Sequence, residues 1–425
     1  MAGKSNIKEI LVFFDRDGKG GFFFMGTLLA ERVRGREIFS FRYSEEWIRR
    51  GDSQLMDPDL QFFRGPQYLK DEKPNFGVFL DSAPDRWGRL LMRRKEANLA
   101  RKEKRQERQL MESDYLLGVF DEYRMGALRF RDEPEGPFLN NDDKDTIPPW
   151  SSLKELEEIS LKLEDDDARD DPEYTRWIEM LIAPGSSLGG SRPKAGITDK
   201  KNNLWIAKFP GRHDLTDIGA WEMVVHDLAV KAGLNTAEAL LEKFSGKHHT
   251  FMTKRFDRAG SGSRLHFASA MTMLGYSFGK DFHEGVSYLE MADFISTYGA
   301  KVENDLEELW RRIVFSICVS NIDDHLRNHG FILSDAGWLL SPAFDINPVE
   351  SGAGLSLNIS HDDNSLDFNL AMSVSGYFRL TGKRASEIVD HVKSSVRSWE
   401  KIAGQYTIPG TETDIMAGAF RMADE

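Results

Sequence analysis

Short apolar runs broken by glycine, aspartate and proline fill the first third of the chain, and longer helical periodicities take over toward its end. Ile10 to Phe14 and Phe22 to Leu29 are strand-like. The Asp15-Arg16-Asp17-Gly18-Lys19-Gly20-Gly21 stretch between them is rich in residues that tolerate positive φ, so a β-hairpin is expected. A strand over 37–42 leads into a helix near 45–50. Phe79 to Arg89 carries Ser82 as a helix cap and Pro84 near a helix start, and the helix is expected to run on through the charged stretch 101–108. Glutamates inside that stretch favour a solvated helix face over a nucleic-acid patch. Gly136, Asn140, Asn141, Pro148 and Pro149 mark residues 136–150 as the main linker.

Beyond the linker the pattern predicts two helices, a glycine-rich loop, a strand over Leu204 to Phe209, a helix over 220–232 and strands around 242–255. Helices over 289–298, 305–320 and 385–403 follow. The expectation is an α+β, bilobal arrangement in which a β-containing part precedes a mostly helical lobe, with ligands held in a cleft. At 425 residues the chain exceeds one ordinary core. Four segments are expected: a β-containing N-terminal module (1–135), the linker (136–150), a part with the glycine-rich loop (151–260) and a helical lobe (261–425).

Composition narrows the function. A formal net charge of −13 disfavours DNA binding by the whole surface and suits a basic partner. Cys318 is the sole cysteine, which excludes an intrachain disulfide and fits a reducing compartment; on an apolar helix it reads as a core residue. No apolar span approaches the roughly 18 residues of a membrane helix, so no membrane association and a cytoplasmic location are expected.

Candidate chemistry concentrates in Asn321-Ile322-Asp323-Asp324-His325-Leu326-Arg327-Asn328 and in Ser341-Pro342-Ala343-Phe344-Asp345. Asp323 and Asn328 are five positions apart, the spacing at which a kinase catalytic loop places its base and a Mg²⁺-binding asparagine. Asp345 supplies a further metal carboxylate if the strands 330–333 and 338–340 fold it back. A polar stop to the preceding helix is the plainer reading, but acids placed among Leu340, Phe344 and Ile346 are costly without a compensating cation. Upstream, Gly185 to Gly196 brings glycines close enough for backbone N–H groups to cradle phosphate, with Arg192 or Lys194 adding charge. Pro193 and Ala195 exclude a Walker A loop. Lys208 interrupts an apolar strand as a kinase phosphate-binding lysine does; an edge lysine is the alternative. Glu222 is a candidate partner for it, and Lys254 to Arg258 a candidate connection between lobes.

In the order of these motifs, with Phe79 to Gly88 and Arg255-Phe256-Asp257-Arg258, the sequence resembles the HipA family of serine/threonine-protein kinase toxins. The resemblance implies a protein-kinase-like fold and an ATP- and Mg²⁺-dependent protein kinase. In it Asp323 is the catalytic base and Asn328 and Asp345 are the metal ligands. Lys208 would lie on the ATP phosphates and His325 near the nucleotide. Ser187, Leu188, Gly189, Gly190, Lys194, Lys254 and Phe256 complete the nucleotide-binding candidates, and Ser187 is the expected autophosphorylation site, with Ser186 its nearest competitor. The family further implies a protein target such as an aminoacyl-tRNA synthetase, a small helix-turn-helix antitoxin, and operator DNA reached mainly through that antitoxin. Two other readings stand beside it: a catalytically quiet corepressor, and a phosphohydrolase built on Asp323, Asp324 and His325.

Overall fold

A computed structural model of the chain describes residues 7–15, 21–50, 54–70, 73–141, 147–165, 168–169, 171–182, 190, 192–244, 246–260 and 262–425. The protein is α+β, and it divides into two compact units, Met1–Arg212 with Asp257–Ala268 and His213–Phe256 with Ser269–Glu425. This division follows packing, whereas the four segments expected from the sequence follow motif content.

The first unit is built on an antiparallel sheet. Its strands β1 (Ile7–Asp15), β2 (Phe22–Val33), β3 (Arg36–Tyr43), β4 (Gln67–Tyr68) and β5 (Leu128–Arg131) stand in the order β4-β3-β2-β1-β5. The expected hairpin is β1 against β2, with a bulge between Val12 and Phe13 that shifts the register. Strand periodicity sorts β3 cleanly: Phe39, Phe41 and Tyr43 are buried, while Ile38 and Arg42 are exposed. Phe41 packs on Phe79 (ring centroids 5.5 Å apart) and Phe79 on Phe130 (6.2 Å), each fully buried phenyl contributing on the order of 2–3 kcal/mol.

The long helix of this unit spans Arg86–Lys102, shorter than its charge pattern predicts, and its cap is Asp85 rather than Ser82. Lys104 has φ +53. The helix stops because Glu96, buried on its own surface, captures the chain beyond it: Glu96 accepts from Arg105 at 2.6 and 3.2 Å and from the Arg108 N–H at 2.8 Å. A second hairpin, β6 (Lys194–Thr198) and β7 (Leu204–Lys208), pairs Lys194 with Lys208. Gly196 is required there, since a Cβ would come within 2.0 Å of the Tyr123 ring.

Asp257–Ala268 returns to the first unit under dense polar restraint. Asp257 accepts from the Gly126 N–H (2.9 Å), Arg258 donates to the carbonyls of Glu122 (2.9 Å) and Arg124 (2.8 Å), and Arg264 to that of Asp121 (2.6 Å).

The second unit is organised by the helix Val302–Cys318, whose Leu306, Leu309, Trp310, Ile313, Val314 and Ile317 are wholly buried. Glu303 and Asp305 in its first turn favour the helix dipole. Burial pushes the Cys318 thiol up to about 12, leaving it an inert core group. The helix expected over 385–403 is two, Gly382–Val396 and Trp399–Gln405. Between them the Ser398 hydroxyl donates to the Ser395 carbonyl at 2.7 Å, and Trp399 turns to stack on Phe420 at 4.6 Å. Among the described residues no helix is long and apolar enough to cross a membrane.

Candidate functional site

The catalytic-loop candidates follow the helix Val302–Cys318 directly. Its end is turned by Ser320 at φ +49, which releases the chain into a loop wound on its own backbone. The His325 N–H donates to the Asp323 carbonyl (2.9 Å) and the Asn328 N–H to that of His325 (2.8 Å). The Asn328 amide Nδ2 also donates to the Asp323 carbonyl at 2.9 Å. The loop therefore brings Asp323 and Asn328 together through a backbone oxygen, leaving the Asp323 carboxylate exposed. Asn328 Oδ1 is buried and has no hydrogen-bond partner among the described residues. An amide oxygen left so costs about 1–3 kcal/mol, a cost that a hard cation taking oxygen ligands removes.

Beneath the loop lies a buried polar anchor. Tyr288 donates to Asp324 Oδ2 at 2.5 Å, and His329 Nε2 stands 3.0 Å from Asp324 Oδ1. Burial by itself raises the Asp324 carboxyl, but His329 beside it, the hydrogen bond from Tyr288, and His325 outweigh it and hold the carboxyl below its usual range. Burial and the Asp324 charge push the Tyr288 hydroxyl well above its ordinary value, so it stays a donor. Because the folded state depresses the Asp324 value, the stabilisation is present above the unfolded value near 3.9 and is lost as pH falls through the folded one. Asp324→Asn is expected to cost about 3–5 kcal/mol near neutrality. Urea unfolding at pH 7 and again near pH 3 checks this: the gap between variant and wild type should narrow at the acid end.

The hairpin Gly330–Ser334 and Gly337–Leu340 forms as expected, Phe331 opposite Leu340. Arg312 on the long helix donates to the Ser341 carbonyl at 2.7 Å, fixing the exit. Asp345 comes next, with φ +58. Its flanks are pinned on both sides: the Ala343 N–H donates to the Asn235 carbonyl (2.7 Å), and the Asn347 N–H to Asn321 Oδ1 (3.2 Å). A left-handed backbone at a residue with a Cβ costs about 1–2 kcal/mol. Sites that hold such strain are often functional.

Lys254 and Phe256 belong to this unit as well. The Lys254 ammonium lies 3.4 Å from Glu238 Oε2, and the Phe256 ring packs on Phe344 at 5.5 Å. Gly190, Lys194 and Lys208 belong to the first unit. There Lys194 is buried and its ammonium meets Asp85 Oδ2 at 2.7 Å and the Gly190 carbonyl at 3.4 Å. Two lysines facing each other across β6 and β7 repel, and Asp85 neutralises one of them. Ser187, Leu188 and Gly189, with Ser186, lie outside the described residues. Sequence reasoning missed Asp85 and Tyr288. A helix-capping aspartate after Pro84 was legible, but its second bond, to Lys194, joins positions more than a hundred residues apart.

Among the described residues no three His, Cys, Asp or Glu side chains gather as a metal cage. The oxygen on offer is thus Asn328 Oδ1, a hard ligand of the kind taken by a cation that keeps water and phosphate ligands.

A family model described as the HipA-like C-terminal domain matches residues 186–399. The chain is 25% identical over 260 residues to the serine/threonine-protein kinase toxin HipA of Shewanella oneidensis, a match covering 52% of this chain and 58% of that protein. The match therefore spans less than two thirds of that relative. Among solved structures, the Shewanella oneidensis MR-1 complex of HipA, HipB and its operator DNA contains a chain similar to this one. It has a TM-score of 0.66 and 16% identity, over 97% of this chain and 95% of that one. At that identity the likeness is one of fold.

Proposed function

Because the chain belongs to the family of the HipA-like C-terminal domain, we propose that it is an ATP- and Mg²⁺-dependent protein serine/threonine kinase, the toxin of a toxin-antitoxin module. The observation that carries this reading is the loop in which Asn328 donates its amide to the Asp323 carbonyl and keeps a buried oxygen without a partner. In this reading the exposed Asp323 carboxylate accepts the proton of the target hydroxyl as it attacks the γ-phosphate. Asn328 Oδ1 and the Asp345 carboxylate would hold Mg²⁺, which would supply neutralisation of charge on the phosphates. Lys208 binds those phosphates, His325 lies near the nucleotide, and Lys254 and Phe256 line the connection beside it. Ser187, Leu188, Gly189 and Gly190 cover the phosphates with backbone N–H groups. Lys194, through Gly190 and Asp85, steadies the exit of that loop.

Phosphate on Ser187 would crowd the loop and be repelled by ATP, so self-modification there switches the enzyme off. The target is a protein serine, as on an aminoacyl-tRNA synthetase. The partner is a small helix-turn-helix antitoxin that carries the pair to operator DNA. The segments 1–135, 136–150, 151–260 and 261–425 keep their assigned roles as module, linker, nucleotide-binding part and helical catalytic lobe.

Incubation with Mg²⁺ and γ-labelled ATP tests the reading. Label should enter the protein, and mass spectrometry should find it on Ser187 in wild type and not in Asp323→Asn. Release of phosphate without protein label would favour the phosphohydrolase instead. Absence of any turnover would favour the corepressor.

A further inference from the structure

The first unit holds a cavity that the kinase reading leaves unused. It measures about 350 Å³, within the range of small-molecule sites. Thr27 on β2 and Arg42 on β3 are register partners, so their side chains stand on one face of the sheet, and both line it. Thr27 is only 8% exposed, yet its hydroxyl has no protein partner among the described residues. Arg64 lines the same cavity, and neither arginine makes an ion pair with a described residue. Glu45, also in the wall, is ion-paired with Arg49.

The loop carrying Arg64 is braced. Gly65, at φ +121, makes a turn that a residue with a Cβ would strain. The Gln61 N–H donates to the buried Gln67 side chain at 2.6 Å, closing the loop onto β4. Phe62 stacks on Tyr43 with ring centroids 5.5 Å apart and planes at 20°. In a chain of net charge −13, two guanidinium groups with no ion pair among the described residues, beside the unpartnered hydroxyl of a largely buried threonine, form a local exception with the chemistry of an anion site. A guanidinium fork matches phosphoryl oxygens in bidentate geometry, and a hydroxyl adds one directed donor.

We propose that this cavity binds a phosphoryl group, free or as an ester of metabolite size, with Arg42 and Arg64 on its oxygens and Thr27 donating to one of them. The apolar wall at Phe24 receives the carbon part of an ester. The site belongs wholly to the first unit and does not depend on the kinase reading.

Calorimetric titration of the full chain tests it, with the nucleotide site filled by a non-hydrolysable ATP analogue and Mg²⁺. The probes are inorganic phosphate and glycerol phosphate, with sodium chloride at matched ionic strength as the blank. Saturable binding is expected, weakened about tenfold or more by Arg42→Ala and by Arg64→Ala, since charged hydrogen bonds of this kind are worth that much. Both arginines are exposed, so these variants keep the fold, and a thermal melt verifies it. Thr27→Val, nearly isosteric, should weaken binding several-fold without loss of fold. Tighter binding of glycerol phosphate assigns an ester as ligand, and equal binding assigns free phosphate. Affinity unchanged in the Arg42→Ala, Arg64→Ala double variant, or no binding above the chloride blank, overturns the proposal.

Discussion

Asp323→Asn should lower phosphoryl transfer about 10²–10⁴-fold, the range expected when a positioned base is removed, while leaving stability within about 0.5 kcal/mol of wild type. The two halves of this expectation come from different atoms. The carboxylate is exposed, whereas the loop geometry rests on the backbone carbonyl that receives the His325 and Asn328 donors. Asparagine keeps that carbonyl and removes only the base. The neighbouring Asp324 gives the opposite signature, because its carboxylate is buried against Tyr288 and His329. Measuring label transfer and urea stability for both variants separates catalysis from scaffolding. Full activity in Asp323→Asn would sink the catalytic-loop assignment, whatever Asp324 shows.

Replacement of Asp345 by glycine should separate the two quantities more sharply. The carboxylate is the proposed metal ligand, and its loss removes several kcal/mol of charge stabilisation, about a thousandfold in rate. At the same time the strain of φ +58 vanishes. That gain of about 1–2 kcal/mol is partly offset by the greater freedom of glycine in the unfolded chain, leaving a protein as stable as wild type or up to about 1 kcal/mol more so. Asp345→Asn tolerates the same backbone and should lose activity with little change in stability. Chemical denaturation paired with the labelling assay reads both. An active Asp345→Gly protein would remove this residue from the metal site.

Local sequence made much of this architecture legible. The β1–β2 hairpin, β3, the helix after it and the hairpin leading to Asp345 all depend on nearest-neighbour preferences, alternation and turn residues, and each forms where expected. What periodicity does not carry is a bond made across the fold. The helix ending at Lys102 is stopped by Arg105 and Arg108 reaching back to Glu96, although charge and propensity would continue it. The break at Arg397 and Ser398 belongs to the packing of Trp399 on Phe420. The same holds at the site. The Asp323 to Asn328 spacing can be counted in the sequence, but the orphaned oxygen of Asn328 and the Tyr288–Asp324–His329 anchor exist only once remote segments meet.

The return of Asp257–Ala268 to the first unit bears on how the protein is made. A ribosome emits Met1–Arg212, then a stretch belonging to the second unit, and only afterwards the twelve residues that bring Arg258 and Arg264 to the carbonyls of Glu122, Arg124 and Asp121. At synthesis rates of roughly 5–20 residues per second the nascent first unit waits several seconds for its last piece. During that interval the carboxylate of Asp121 is held by Arg129 and still lacks Arg264, and a gene truncated after codon 212 would leave it with Arg129 and without that second guanidinium.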